Sequence, residues 1–142
     1  MEIRIFDNLP EEAAQIRTAV FIEEQKFKTE FDEIDGYARH AVVFDGSAPV
    51  ATCRFYNKDE NGKRVYIIGR LAVTKEYRGK DIGSLTLKAA ESEIANAGGR
   101  EVLLHSQCAA RRFYEKNGYA ACSEADMDED CPHVWMHKQL GK

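Results

Sequence analysis

The sequence lacks any apolar run long enough to cross a membrane. No segment of its 142 residues approaches the roughly 18 consecutive apolar residues that a membrane-spanning helix needs. The N-terminal stretch from Met1 to Phe6 alternates polar and apolar residues, without the basic flank or cleavage site of a signal peptide. We therefore expect a cytoplasmic protein with no membrane partner.

Closely spaced cysteine pairs are also missing. The four cysteines, Cys53, Cys108, Cys122 and Cys131, form no Cys-x-x-Cys pair, which argues against a disulfide framework. Cys122, Cys131 and His133 could be considered as zinc ligands, but their spacing fits no standard pattern. We expect four reduced thiols and no metal.

Positive charge is not in excess. Twenty Lys and Arg face 24 Asp and Glu, giving a formal net charge of −4 at pH 7. Because nucleic-acid-binding proteins usually present a basic face, no nucleic-acid partner is expected. The hydrophobic content of 44% and charged content of 31% are ordinary for a soluble globular protein. The length predicts one domain over residues 1–142 that buries a core without metals or disulfides.

The order of the predicted elements indicates a mixed α/β sheet. In the first part of the chain we predict a strand over 1–6, a helix from Pro10 through Phe21, and an acidic irregular stretch with a short helix over 23–35. The middle is predicted to form hairpin strands over 41–44 and 49–56, a turn at Asn61-Gly62 and a strand buried on both faces over 65–73. The last part is predicted to form a helix over 82–97, a strand over 102–104, a short helix over 109–116 and a closing strand over 133–138. Antiparallel strands followed by a strand–helix–strand–helix unit predict such a sheet.

One segment, Gly69 to Ser84, combines a strand end, a glycine-bearing turn and a helix start. The unpaired N–H groups and the dipole at a helix N-terminus favour an anion, and glycine lets the backbone approach it closely. Arg78 and Lys80 add positive charge. The segment is neither a Walker motif nor Gly-x-Gly-x-x-Gly. By itself it predicts either a phosphate-bearing ligand or an ordinary turn before a helix.

A second segment, Gln107 to Tyr119, carries the aromatic pair Phe113-Tyr114 and ends at a glycine. In this order and spacing, the runs 78–83 and 110–119 together resemble the GNAT acetyltransferase superfamily. The resemblance covers nearly the whole chain. Four further runs resemble the uncharacterised ElaA-like branch of that superfamily: Phe21-Ile22-Glu23-Glu24-Gln25, Phe31-Asp32-Glu33-Ile34-Asp35-Gly36, His105-Ser106-Gln107 and Pro132-His133.

This resemblance implies a GNAT-like mixed α/β sheet with antiparallel N-terminal strands, a splayed central strand pair and flanking helices. It also implies acetyl-CoA as co-substrate, its pantetheine arm lying between the splayed strands like an extra strand. The residues it places against the cofactor are Leu71, Ala72, Val73, Arg78, Gly79, Lys80, Asp81, Ile82, Gly83, Ser84, Gln107 and Phe113.

Two positions depart from the family pattern. Asp81 stands where the central glycine of the pyrophosphate loop is usual, which puts an acid at an anion site. Its carboxylate could cap the helix or point to solvent; we expect solvent, with modest cofactor affinity. Gln107 replaces a common asparagine and keeps the amide chemistry.

The same resemblance implies direct attack of an amine on the thioester. Tyr114 sits where the family has the general acid for the departing thiolate, and a backbone N–H near Val73 could polarise the thioester carbonyl. A carboxylate or histidine must accept the amine proton, and Glu24, His105 and His133 are the candidates.

The acceptor is less defined by the sequence. Two acidic stretches, 23–35 and 124–130, would attract a cationic small-molecule or peptide amine if they flank the acceptor site, although charge runs are more often solvated loops. A homodimer is a further expectation. The alternatives to an enzyme are a non-catalytic CoA- or phosphate-binding sensor, favoured by Asp81, and an interaction domain without a cofactor.

Overall fold

The computed structural model describes residues 1–27, 30–58, 64–128 and 131–141. Its strands are β1 (Glu2–Phe6), β2 (Arg39–Asp45), β3 (Ala48–Asn57), β4 (Val65–Val73), β5 (Glu101–Gln107), β6 (Ala120–Ala121), β7 (Asp126–Asp128) and β8 (Cys131–Gln139). Its α-helices are α1 (Glu11–Arg17), α2 (Ile82–Asn96) and α3 (Arg111–Lys116), with a π-helix over Thr18–Glu24 and 3-10 turns over Glu33–Gly36, Lys75–Tyr77 and Cys108–Ala110. The predicted turn at Asn61-Gly62 lies outside the described residues.

All eight strands belong to one mixed sheet. The strand order is β1-β2-β3-β4-β5-β8-β6, and β7 pairs with β8 beside β6. Neighbouring strands are antiparallel except β4 and β5, which are parallel and are joined through α2. A parallel pair needs such a crossover. The predicted mixed α/β sheet with antiparallel N-terminal strands is therefore confirmed.

The two long helical segments cover opposite faces of the sheet. In β2, Ala41 packs in the core cluster of α2, whereas its neighbour Val42 packs in the cluster of α1. Successive strand residues point to opposite faces, so β2 needs apolar side chains on both. The α2 face holds Leu87, Ala90 and Ile94, which are fully buried at the predicted helical spacing.

The central strands β4 and β5 separate along their length. Their parallel pairing runs from Val65 and Glu101 to Ile67 and Leu103 and stops there. The predicted splayed strand pair is thus confirmed. The prediction that β4 is buried on both faces was wrong, because only Ile68 and Ala72 are buried in this strand. The other residues of β4 are partly exposed, and those from Gly69 to Leu71 and Val73 border the cavities opened by the splay.

A β-bulge interrupts β4 at the start of the splay. Thr52 of β3 pairs with Ala72 and Arg54 pairs with Gly69, so β4 contains one extra residue at this point. Arg70 adopts a left-handed conformation with φ of 54°. Such a conformation is uncommon for a residue other than glycine and costs on the order of 1 kcal/mol. The bulge re-aims the backbone and side chains of β4 where the strand leaves β5.

Within the described residues, no helix is both long and apolar enough to cross a membrane. In the same part of the chain, no group of three or more His, Cys, Asp or Glu side chains could hold a metal ion.

Candidate active site

A cleft of about 830 Å³ runs between the carboxyl end of β4, the start of α2 and α3. All the predicted cofactor residues except Lys80 and Gln107 line it. The complete lining is Val20, Gln25, Leu71, Ala72, Val73, Tyr77, Arg78, Gly79, Asp81, Ile82, Gly83, Ser84, Leu85, Lys88, Ala110, Phe113, Tyr114, Lys116 and Asn117. Lys80 is exposed, with its ammonium 5.6 Å from the centroid of the Tyr77 ring. We refer to this space as the cofactor cleft.

The turn before α2 depends on two residues with positive φ. Gly79 has φ of 76° and Asp81 has φ of 62°. Aspartate is among the few side chains that tolerate the left-handed region, which explains how it replaces glycine here. The Asp81 side chain is exposed and makes no capping hydrogen bond, as expected. The N–H groups of the first turn of α2 are therefore not taken by this carboxylate.

Helix α3 is held against the start of α2 by close packing. A Cβ at Gly83 would lie 3.2 Å from Cζ of Phe113, so the ring would have to move by a few tenths of an ångström to admit a side chain at this position. The Asn117 amide donates to the Ser84 hydroxyl at 3.2 Å and to the Phe113 carbonyl at 2.9 Å. These contacts fix Phe113 as one side of the cofactor cleft.

The Arg78 side chain spans the rim of the cleft. Its Nε donates to the Val73 carbonyl at 2.9 Å, and its two terminal nitrogens donate to both Glu24 oxygens at 2.6 and 2.7 Å. This hydrogen bonding from Arg78 lowers the pKa of the Glu24 carboxyl. The structure thus places Glu24 against Arg78 and outside the residues that line either cavity.

A second, smaller cavity of about 240 Å³ lies on the other side of the splay. Its lining is Phe21, Gln25, Phe27, Glu30, Ile68, Gly69, Arg70, Leu71, Leu104, His105, Ser106, Gln107, Ala110, Tyr114 and His133. We refer to it as the acceptor cavity. Four residues line both this cavity and the cofactor cleft: Gln25, Leu71, Ala110 and Tyr114. The two spaces therefore meet where β4 and β5 separate.

Tyr114 stands at this junction. Its ring contacts Phe113 and Tyr119 edge to face, with centroid distances of 5.0 and 5.9 Å. Burial raises the pKa of the Tyr114 phenol well above its ordinary value. The hydroxyl is therefore protonated across the physiological pH range and can act as a donor.

Two histidines line the acceptor cavity side by side. The ring centroids of His105 and His133 are 4.8 Å apart, and His105 stacks on Trp135 at 4.7 Å. Nε2 of His105 lies 2.9 Å from the Asp126 carboxylate, and Nδ1 of His133 lies 2.8 Å from the Cys131 carbonyl. Since both partners can only accept, each of these ring nitrogens carries a proton.

A buried network of ion pairs packs behind the side chains that line the acceptor cavity. Arg17, which is 1% exposed, donates to Glu30 at 2.6 Å and to Asp35 at 2.7 Å. Arg54 donates to Asp32 at 2.6 Å and to Asp35 at 3.0 Å. Burial by itself would raise the pKa of Asp35, but the hydrogen bonds and charge of Arg17 and neighbouring groups lower it to about 2. The network ties the turn at Glu33–Gly36 to α1 and β3.

The acidic stretch 23–35 is consequently mostly paired. Glu24 bonds to Arg78, and Glu30, Asp32 and Asp35 bond to three other arginines: Arg17, Arg54 and Arg70. Neither interpretation of this stretch from sequence, a surface that attracts a cationic amine or a solvated loop, included these ion pairs, because the arginines come from distant parts of the sequence. In the other stretch, 124–130, Asp126 bonds to His105, and residues 129–130 lie outside the described part of the chain.

Several residues that line the cavities were not singled out from sequence. Gln25 accepts a hydrogen bond from the Gln107 amide at 2.8 Å, linking the end of the π-helix to the end of β5. Lys88 and Lys116 add positive charge to the cofactor cleft. Gln25 lies in one of the runs that resemble the ElaA-like branch, which was the available signal; the lysines carried none.

Comparison with known proteins agrees with this geometry. Residues 7–140 match the acetyltransferase (GNAT) domain family. The chain is 35% identical over 130 residues to the uncharacterized N-acetyltransferase YjcF of Bacillus subtilis (strain 168), a match that covers 89% of this chain and 90% of YjcF.

Two solved structures share the fold. The crystal structure of Escherichia coli ElaA superposes with a TM-score of 0.86 at 24% identity and covers 96% of this chain and 98% of ElaA. An aminoglycoside 6'-N-acetyltransferase complexed with coenzyme A superposes with a TM-score of 0.76 at 18% identity and covers 100% of this chain and 98% of that one. Together with the match over residues 7–140, these findings establish that the chain belongs to the GNAT acetyltransferase family.

Proposed function

We propose that this protein transfers an acetyl group from acetyl-CoA to the primary amine of an acceptor by direct attack on the thioester. The observation that carries the proposal is the junction between two cavities. The cofactor cleft and the acceptor cavity meet at Tyr114, Leu71, Ala110 and Gln25. A thioester entering from one side can there contact an amine entering from the other. Holding two reactants in this way supplies several kcal/mol of barrier reduction.

The residues of the cofactor cleft fit coenzyme A. Arg78, Lys88 and Lys116 offer positive charge for phosphates, and the start of α2 offers backbone N–H groups. The edge of β4 beyond Ile67 is no longer paired with β5, so Leu71 and Val73 can hydrogen-bond an extended pantetheine arm. The aromatic ring of Phe113 lines the same channel. When bound, acetyl-CoA supplies the activated acyl carbon.

The chain's own residues handle the protons. The amine nitrogen forms a bond to the thioester carbonyl carbon, and the carbon–sulfur bond breaks. Tyr114 donates its proton to the departing sulfur and is then reprotonated from solvent. Backbone N–H groups at the bulge around Arg70 and Leu71 would stabilise the negative charge that develops on the carbonyl oxygen.

We propose His105 as the acceptor of the amine proton. It lines the acceptor cavity, and its Nε2 is bound to Asp126, which leaves the basic lone pair of the neutral ring on Nδ1. A carboxylate partner also stabilises the imidazolium that forms. Glu24 remains a second candidate from sequence, but its bonds to Arg78 and its lowered pKa make it a weaker base.

The acidic stretches were the reason to expect a cationic acceptor. Because most of the charge in 23–35 is neutralised by arginines, the acceptor is selected by the side chains that line the cavity. The four cysteines are free thiols, consistent with the reducing cytoplasm in which we place the protein. A homodimer remains a prediction.

The test is thiol release from acetyl-CoA with a panel of primary amines, compared between wild type and Tyr114→Phe. We expect the variant to bind acetyl-CoA normally, seen as an unchanged thermal shift, and to lose about 10²-fold or more in kcat with the best amine. Tyr37→Phe, an exposed tyrosine outside both cavities, is the matched control and should keep full activity.

Two results would contradict parts of this proposal. Equal kcat for Tyr114→Phe and wild type removes Tyr114 from the acid role. A thermal shift with acetyl-CoA but no thiol release with any amine would identify a CoA-binding sensor instead of an enzyme.

A further inference from the structure

The acceptor cavity offers little to a second positive charge on its substrate. Among the described residues that line it, Glu30 is the only acid. Both of its oxygens already face arginines, since Oε2 lies 2.6 Å from Nε of Arg17 and Oε1 lies 3.1 Å from Nε of Arg70. Besides Glu30 and the protonated Tyr114, the ionisable side chains that line the cavity are those of Arg70 and the two histidines. Within the described part of that lining, a distal ammonium on the acceptor would find no carboxylate that is not already paired with an arginine.

Arg70 is held rigidly and retains unused donors. Its Nε is anchored to Glu30, at 3.1 Å from both the backbone carbonyl and Oε1, and its Nη2 lies 3.4 Å from Asp32. In the part of the chain that the structure describes, Nη1 has no protein partner. A guanidinium carries five N–H donors in a planar arrangement that matches a carboxylate. With 31% of the side chain exposed, Arg70 can present these donors to a ligand in the cavity.

Arg70 belongs to β4, the strand that borders both cavities. It occupies the bulge of β4, directly before Leu71, which is one of the residues where the cavity opens into the cofactor cleft. A group bound by Arg70 would therefore occupy the same cavity that Tyr114 lines. The cavity, with a volume of about 240 Å³, has room for a small amine and a second polar group on it.

We propose that the acceptor is a small amine that also carries a carboxylate, and that Arg70 binds this carboxylate while the amine faces Tyr114. The inference rests on the proposed acetyl transfer and names its substrate class. Recognition combines an attractive element, the guanidinium, with a repulsive one, because the same guanidinium disfavours a distal ammonium. The class is therefore the opposite of the cationic acceptors that the acidic stretches suggested.

The experiment compares three amines of equal chain length: 4-aminobutyrate, n-butylamine and putrescine. Each has four carbons, and beyond a shared chain of three methylenes they carry a carboxylate, a methyl or a charged aminomethyl group. With the wild-type full chain and saturating acetyl-CoA, we expect kcat/KM for 4-aminobutyrate to exceed that for the other two by about 10- to 100-fold, the usual value of hydrogen bonds to a charged group. β-Alanine and 5-aminovalerate extend the series in case the spacing differs.

The variant Arg70→Asn removes the guanidinium and keeps a residue that tolerates positive φ, so the bulge is preserved. We expect it to bind acetyl-CoA with an unchanged thermal shift and to lose the preference for amino-carboxylates. Arg70→Lys keeps the charge without the planar pair of donors and should retain part of the preference. Arg39→Asn, an exposed arginine bound to Asp7 and Glu93, is the control and should behave as wild type.

The outcomes separate this inference from the proposal on which it rests. Thiol release that is equal for the three amines, or a carboxylate preference that survives in Arg70→Asn, overturns the carboxylate assignment and leaves acetyl transfer standing. The wild-type protein loaded with acetyl-CoA could instead bind amino-carboxylates without releasing thiol. If Arg70→Asn then loses this binding, the result supports the carboxylate site and counts against acetyl transfer. Absence of both binding and turnover for every amino-carboxylate in the series overturns the inference.

Discussion

The cofactor cleft and the acceptor cavity are built in different ways. Most of the cofactor cleft comes from one continuous segment, Leu71 to Leu85, to which α3 adds one side. The acceptor cavity is assembled from separate segments: the π-helix and the chain after it, β4, β5, the start of α3 and β8. The cleft relies largely on backbone geometry at a strand end and a helix start. The cavity relies on side chains held by a buried ionic network.

This difference determines what each site tolerates. Backbone N–H groups and a turn with positive φ can be provided by several sequences, and Asp81 in place of glycine is an example. A buried ion pair is stable only while both partners are present, because a lone buried charge is costly. The acceptor side should therefore be the more sensitive of the two to single substitutions, and the following predictions test this from the largest effect to the smallest.

Arg17→Met should destabilise the protein most. The substitution leaves Glu30 without its shortest ion pair in a fully buried site and removes one partner of Asp35. Removing one partner of a buried pair costs about 3–5 kcal/mol of unfolding free energy. Chemical denaturation measures the loss.

The control for this prediction is Arg39→Met, whose ion pairs with Asp7 and Glu93 are partly exposed and should contribute less than about 1 kcal/mol. If the Arg17→Met variant remains folded at low temperature, it should bind acetyl-CoA as the wild type does but acetylate amines poorly. A parallel loss of acetyl-CoA affinity would show that the two sites are not independent.

The loss of folding stability at acid pH should depend on Asp35. Its pKa is lowered from 3.8 to about 2 in the folded state. Because the pKa is lower in the folded state, ionised Asp35 stabilises the fold above pH 3.8, and this stabilisation is lost as the pH falls towards 2. At about 1.4 kcal/mol per pKa unit, it amounts to about 2 kcal/mol. Urea denaturation between pH 5 and 2 measures it.

The matched variants separate Asp35 from other acids. Asp35→Asn should be less stable at pH 7 and show a flatter dependence below pH 4. Asp7→Asn, at an 86% exposed side chain, should keep the wild-type slope. Glu30, whose pKa is raised from 4.5 by burial, acts in the opposite direction but above pH 4.5, so it does not mask the Asp35 effect; a wild-type curve without a loss of stability below pH 4 would contradict the lowered pKa of Asp35.

Glu24→Gln should have the smallest effect on stability, because its pair with Arg78 is about 40% exposed. Loss of the carboxylate leaves Arg78 free to bind phosphate, so the Kd for acetyl-CoA should fall a few-fold while kcat at saturation stays the same. Isothermal titration and thiol release measure the two quantities. If kcat falls by 10²-fold instead, Glu24 is the proton acceptor and His105 is not.

The cofactor cleft and the acceptor cavity also differ in how far they could be predicted from the sequence. The predicted cofactor residues from Leu71 to Ser84 could be proposed from sequence because they are close together in the chain, and the structure brings nearly all of them to one cleft. The roles of Glu24 and Arg70 could not be read in this way. Glu24 lies 54 residues from Arg78, and Arg70 lies 40 residues from Glu30, so their pairing depends on how the sheet brings the segments together.

The sequence by itself determined the elements, the mixed sheet and the family, because helical and strand periodicities and a contiguous cofactor motif are local properties of the chain. Only the tertiary structure decided where the predicted splay begins, the bulge at Arg70 and the neutralisation of the acidic stretch. Those features arise from contacts between residues that are distant in sequence. Since the acceptor cavity is assembled by such contacts, a proposal for the acceptor's chemistry required the positions of the strands relative to one another.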